Sequence, residues 1–136
     1  MPKSHANTPA PIAKPQTYSA VSLFSGCGGF CEGIESSGVK LRVAVEFDKF
    51  ACETYRHNFP STPLFEGDVH DFLIEGSDHE KQYRLAGTDF VFGGPPCQGF
   101  SQIGARKLDD ERNELYKQYA RVVEKLRPRM FFMENV

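Results

Sequence analysis

No stretch of this chain is apolar for long enough to cross a bilayer, and Met1 to Thr17 lacks the apolar core of a secretory signal. A membrane partner is therefore not expected, and the cytoplasm is the expected location. The chain also has no basic excess. Its 16 lysines and arginines stand against 18 aspartates and glutamates, so composition offers no electrostatic footprint for nucleic acid. The four cysteines, at positions 27, 31, 52 and 97, form no C-x-x-C pair, and Cys27 and Cys31 have no second pair at zinc spacing. No metal is expected, and reduced intracellular thiols are. There is no internal repeat.

What is present is the composition of one small globular domain, 25% charged and 40% hydrophobic over 136 residues. Pro2, Pro9, Pro11 and Pro15 among small polar residues make residues 1–17 read as a disordered lead-in, with the ordered domain over 18–136.

The most informative stretch is Asp89 to Ser101, Asp-Phe-Val-Phe-Gly-Gly-Pro-Pro-Cys-Gln-Gly-Phe-Ser. Phe90, Val91 and Phe92 suit a buried parallel strand, which Gly93, Gly94, Pro95 and Pro96 end abruptly. Cys97 follows at once. A thiol just past the carboxyl end of a buried strand lies where open α/β sheets keep their ligands, with Pro96 fixing the backbone ahead of it. The alternative is a small buried apolar cysteine, but the flanks are kinked and polar. From Gln98 to Lys107 the chain, with Gly99 and Gly104, has the composition of a loop able to move over a substrate.

Taken in order, Ser19 to Phe24 is a first strand. Ser25-Gly26-Cys27-Gly28-Gly29 is a glycine turn opening a helix that runs to about Ser37 and stops at Gly38. Leu41 to Val45 is a second strand with Glu46 at its carboxyl end, about 20 residues after the turn, where an acidic side chain accepts from ribose hydroxyls. A nicotinamide-type G-x-G-x-x-G would need glycine at position 31, where Cys31 stands. Asp48 can cap a helix that buries Ala51 and Tyr55 and ends near Pro60. Leu64 to Glu66 is a third strand, and Asp68 follows it either as a ligand acceptor or as a helix cap. Asp71 to Gly87 reads as loop with a helical piece. Asp109 or Asp110 caps the clearest helix, whose apolar stripe is Leu115, Tyr116, Tyr119, Val122, Val123 and Leu126 and which Pro128 ends. Met130 to Met133 is a fifth strand, with Glu134 at its carboxyl end. The expected fold is α/β, a doubly wound, mostly parallel, Rossmann-like sheet, with Glu46, Asp68, Cys97 and Glu134 on one rim.

These residues carry a resemblance. Pro-Pro-Cys-Gln-Gly-Phe-Ser resembles the nucleophile motif of the C5-cytosine DNA methyltransferases, and Phe24-Ser-Gly-Cys-Gly-Gly-Phe30 resembles their S-adenosylmethionine (AdoMet) turn. Val45-Glu46-Phe47, Gly67-Asp68-Val69, Arg112-Asn113-Glu114-Leu115-Tyr116 and Glu134-Asn135-Val136 resemble further motifs, in family order. The resemblance implies AdoMet as cofactor, with S-adenosylhomocysteine as product, and no metal. It places Phe24, Ser25, Gly26, Cys27, Gly28 and Gly29 at the cofactor. Glu46 then holds ribose hydroxyls, Phe47 packs on adenine, Asp68 beside Val69 reads the adenine amine, and Leu115 borders the cofactor. For Phe47 the alternative is ordinary core, and for Glu134 a surface position.

By the same resemblance the catalytic set is Cys97, Glu134, Pro96, Gln98, Ser101 and Asn135, acting on a cytosine flipped out of double-stranded DNA. Nothing after Glu-Asn-Val carries the family's arginine motif, target-recognition domain or closing segment, and no helix follows to cover the fifth strand. The expectation is a fragment, a truncated product or one half of a split enzyme, completed by the missing carboxyl-terminal part or by a complementary subunit. A transfer-RNA cytosine methyltransferase and a non-catalytic module binding AdoMet or a partner are the alternatives.

Overall fold

The computed structural model of the chain describes residues 17–96 and 113–134. Five strands form one sheet: β1 (Ser19–Leu23), β2 (Lys40–Glu46), β3 (Leu64–Glu66), β4 (Phe90–Gly93) and β5 (Met130–Met133). Four helices connect them: α1 (Gly29–Ser36), α2 (Lys49–Asn58), the short α3 (His79–Gln82) and α4 (Asn113–Leu126). The order across the sheet is β3-β2-β1-β4-β5, and every pairing is parallel.

The central strand explains the arrangement. All five residues of β1 are buried, which requires cover on both faces. Val21 and Leu23 face one apolar cluster with Val43, Val45, Val91, Phe72, Leu85, Tyr119 and Val122; Ala20 faces another with Ala44, Cys31, Tyr55, Phe59 and Phe92. Alternation at period two thus sends α1 and α2 to one face, and α4 with the 69–85 segment to the other. Each fully buried aliphatic side chain contributes about 1.5–3 kcal/mol, so this two-sided core dominates the stability.

Most expected elements are present within a residue or two. α1 ends at Ser36 ahead of Gly38, whose φ of 86° suits a helix stop. Asp48 caps α2, its side chain accepting from the Ala51 amide at 2.8 Å. Two side chains differ from expectation. On α2 the buried partner of Tyr55 is Cys52, with Ala51 only half-buried, because 52 and 55 share the sheet-facing side. On α4 Tyr116 is 51% exposed, because Leu115, Tyr119 and Val122 already fill the side facing the sheet. The expected caps at Asp109 and Asp110 lie outside the described residues. β5 is an edge strand, and Met130, Phe131 and Phe132 are exposed on it.

Candidate functional site

Strand order runs β1, β2, β3 in one direction and β4, β5 in the other, so the chain reverses between β1 and β4. That switch point leaves a crevice beyond the carboxyl ends of the strands. A cavity of about 420 Å³ occupies it. Phe24 follows β1 into its wall, Val45, Glu46 and Phe47 come from the end of β2, and Gly67, Asp68 and Val69 from the end of β3. Gly94 and Pro96 follow β4, and Leu115 comes from the first turn of α4. Residues 24 to 115 meet here because parallel strands present all their carboxyl ends on one rim.

Glu46 organises the polar wall. Its Oε2 accepts from the Gly26 amide at 2.8 Å, and its Oε1 accepts from the amides of Phe47 and Asp48, each at 2.8 Å. The carboxylate therefore ties the glycine turn to the start of α2 and retains one lone-pair position on Oε2. The turn itself is fixed from beneath. Ser25 Oγ donates within hydrogen-bond range of Ser22 Oγ at 2.8 Å, and the Ser25 amide donates to Val45 O at 3.1 Å. Ser25, Gly26, Cys27, Gly28 and Gly29 are not among the residues lining the cavity, to which the turn is joined by the Gly26 amide on Glu46. Phe24 holds φ at 53°, a costly conformation for a phenylalanine and one that clusters at functional sites.

Phe47 is 73% exposed while lining the cavity, so the core alternative does not describe it. Asp68 does cap, but locally: Oδ1 accepts from the His70 amide at 2.8 Å, opening a turn rather than a helix. Val69 is buried and lines the cavity. Cys31, where a third glycine was absent, is fully buried on α1, and its thiol donates to Ser22 Oγ at 3.2 Å. Burial pushes the Cys31 thiol above its ordinary value.

Glu134 follows β5 and lies beside the end of β4. Its amide donates to Gly93 O at 3.0 Å, and a Cβ placed on Gly94 would stand 3.0 Å from Glu134 Oε2. Glu134 is exposed, with its carboxylate against Gly94, a residue of the cavity lining. Cys97 is the next residue in sequence after Pro96; Cys97, Gln98, Ser101 and Asn135 lie outside the described residues. Sequence reading did not single out Val45, Gly67 or Gly94 as site residues, although Val45 and Gly67 adjoin residues that it did and Gly94 lies two positions before Pro96. Among the described residues no group of three or more His, Cys, Asp or Glu side chains could hold a metal ion, and no helix is long and apolar enough to cross a membrane.

Comparison with known proteins follows the same lines. The sequence profile of the C-5 cytosine-specific DNA methylase family matches residues 18–136. The chain is 42% identical over 123 residues to Type II methyltransferase M1.HphI of Haemophilus parahaemolyticus, covering 85% of this chain and 32% of that protein. It is 42% identical over 117 residues to Type II methyltransferase M.AquIA of Picosynechococcus sp., covering 85% and 47%. Among solved structures, an E. coli prophage protein described as a DNA modification methyltransferase superposes with a TM-score of 0.74 at 36% identity, over 88% of this chain and 32% of that one. A Spodoptera frugiperda DNMT2 variant superposes with a TM-score of 0.64 at 27% identity, over 88% and 36%. The chain thus spans about a third to a half of the length of these relatives. With its sheet order, its cavity at the switch point and this matched stretch, the chain belongs to the C-5 cytosine-specific DNA methylase family.

Proposed function

We propose that residues 18–136 form the AdoMet-binding and nucleophile-bearing part of a DNA cytosine-C5 methyltransferase of a restriction–modification system acting in the cytoplasm. The observation that carries this reading is the one cavity that gathers Glu46 and Phe47 from the end of β2, Asp68 from the end of β3, Pro96 from beyond β4 and Leu115 from α4, with Glu134 against Gly94 at its edge.

The cavity suits AdoMet on its own terms. About 420 Å³ lies within the usual range for small-molecule sites. Glu46 keeps an acceptor position on Oε2 for a ribose hydroxyl, the exposed Phe47 ring offers a face to adenine, and Asp68 Oδ2 is directed to an amine donor by the turn that occupies Oδ1. When bound, AdoMet supplies the methyl group that carbon 5 of cytosine takes up.

Cys97 does the activating work in this reading. Its thiolate adds to carbon 6 of the flipped base, which makes carbon 5 enamine-like and able to accept the methyl group. Glu134, carrying a proton, bonds ring N3 and the exocyclic amine and absorbs the charge that develops there. Loss of the carbon-5 proton then expels the Cys97 sulfur and restores the ring. Pro96 fixes the backbone ahead of Cys97, and Gln98, Ser101 and Asn135 join the catalytic set on the strength of the family motifs that contain them. Selection of the target sequence is assigned to polypeptide corresponding to the rest of the relatives' length, in the same chain or a complementary subunit. At net charge −2 this stretch brings no cation excess to a duplex.

The test is covalent trapping on double-stranded DNA containing 5-fluorocytosine, in the presence of AdoMet. Together with the polypeptide that completes it, the sequence should give an adduct that survives denaturation, Cys97→Ser should give none, and Glu134→Gln should slow its formation by at least about a hundredfold. An adduct that persists in Cys97→Ser removes the thiol from its role. An adduct formed on transfer RNA but not on DNA selects the RNA-modifying reading instead.

A further inference from the structure

The turn that carries Asp68 and Val69 is built in an unusual way. Residues 69–73 belong to no helix or strand, yet Val69, Phe72 and Leu73 are buried. Two backbone–backbone bonds close the turn on itself, from Asp71 to Asp68 O and from Phe72 to Val69 O, beside the His70 amide that donates to the Asp68 carboxylate. Buried carbonyls without secondary structure need other donors. Arg121, on α4 against the same face of the sheet, provides them. Its Nη2 donates to Phe72 O at 2.7 Å, Val69 O at 2.9 Å and His70 O at 3.2 Å, and its Nη1 to Leu73 O at 3.2 Å. Nε donates to Gln118 Oε1 at 2.6 Å, which fixes the plane of the guanidinium. Lys125 Nζ adds a bond to Leu73 O at 2.7 Å, at the residue whose φ is 58°.

Four carbonyls converging on one side chain is a template, not a surface contact. A planar fork of five N–H donors fixes both the position and the orientation of the strand of carbonyls it meets. Arg121 does not line the cavity, but the turn it grips does, through Asp68 and Val69, and α4, which carries Arg121, also brings Leu115 to the lining. One side chain therefore ties two parts of the cavity lining together.

We propose that Arg121 is a positioning residue for the base-reading end of the AdoMet site, holding the Asp68 carboxylate where it meets the adenine amine. This rests on the cofactor reading above. Two consequences separate it from a merely structural role. Loss of the guanidinium should impair recognition of the amine more than binding of the rest of the ligand, and it should loosen residues 70–73 without loosening the sheet.

The experiment uses the full chain and two probes, S-adenosylhomocysteine and its inosine counterpart, in which an oxo group replaces the amine. Calorimetric titration of the intact sequence should give tighter binding of the adenosine compound. Arg121→Met should weaken that compound by roughly tenfold and leave the inosine compound nearly unchanged, and Arg121→Lys should recover part of the preference. Amide exchange at residues 70–73 should accelerate in Arg121→Met while that of β1 stays slow. If both ligands weaken equally, or the preference survives intact, Arg121 is not a positioning residue. If the intact sequence binds neither compound, the cofactor reading fails, and the exchange data alone judge the clamp: unchanged exchange at 70–73 overturns it. Should Arg121→Met not fold, Arg121→Lys carries the same two readouts, and an unaltered preference with unaltered exchange in that variant counts against the proposal.

Discussion

Two adjacent glycines do opposite jobs. A Cβ on Gly93 would stand 2.0 Å from the carbonyl oxygen of Leu23, backbone of the neighbouring strand, whereas a Cβ on Gly94 would crowd the end of the Glu134 side chain at 3.0 Å and meet the Glu134 backbone oxygen at an ordinary 3.7 Å. Strand backbone cannot yield, and a carboxylate can. Gly93→Ala should therefore cost about 3 kcal/mol or more in urea unfolding. Gly94→Ala should leave stability within about 1 kcal/mol while displacing the Glu134 carboxylate, and trapping of 5-fluorocytosine DNA should slow by roughly tenfold or more. Equal losses of stability in both variants would contradict the assignment. Glu46→Gln offers a second test at this scale. An amide can serve Gly26 or the Phe47 and Asp48 pair with its oxygen, but it must turn a donor toward the other amides. S-adenosylhomocysteine affinity should fall by about tenfold or more, read by calorimetry. Glu46 was legible from its distance to the glycine turn. That its carboxylate also binds that turn was not, because no spacing rule says which amides an acidic side chain will meet.

At the scale of elements, α4 binds the sheet through one hydroxyl as well as through its apolar stripe. Tyr119 is fully buried, and its Oη donates within reach of Phe132 O at 2.8 Å and Val91 O at 3.2 Å, joining the helix to β4 and β5 together. Tyr119→Phe should cost about 1–2 kcal/mol, measured as a fall in the urea midpoint at unchanged slope. No change would mean that the apolar stripe alone holds β5. The strands and helices were readable from periodicity and from their punctuation by Gly38, Asp48, Pro60 and Pro128. The 69–73 turn was not, since its shape depends on Arg121, about fifty residues further along, and local composition carries no trace of so distant a partner. The misplacement of Tyr116 has a related cause: a stripe drawn on helical spacing is wider than the surface the sheet presents.

At the scale of the whole molecule, the buried acids of the core are thiols and phenols, and folding raises all of them. Burial, then the charges of Glu66 and Glu46, push Cys52 up to about 11 from its ordinary 9.0. Burial also raises Cys31, Tyr55 and Tyr119 above their ordinary values. Folded protein then holds these protons more tightly than unfolded chain, so their contribution is complete below about pH 9 and is lost as pH rises through the folded values. The midpoint of thermal unfolding should stay flat up to about pH 9 and fall increasingly steeply between about pH 9 and 11, and Cys52→Ala should flatten that fall. A midpoint that rises across that interval would contradict the sign.

The account depends on one cavity being the cofactor's seat. A second cavity, about 510 Å³, opens on the opposite rim at the amino ends of the strands, lined by Tyr18, Lys40, Arg42, Tyr83 and Arg84 among others. A crystal structure of the chain with S-adenosylhomocysteine distinguishes them directly. The account predicts the ribose on Glu46 Oε2, adenine against Phe47 with its amine toward Asp68, and the sulfur directed toward Pro96. Density for the ligand among Lys40, Arg42 and Arg84, with the Glu46 cavity empty, would contradict it.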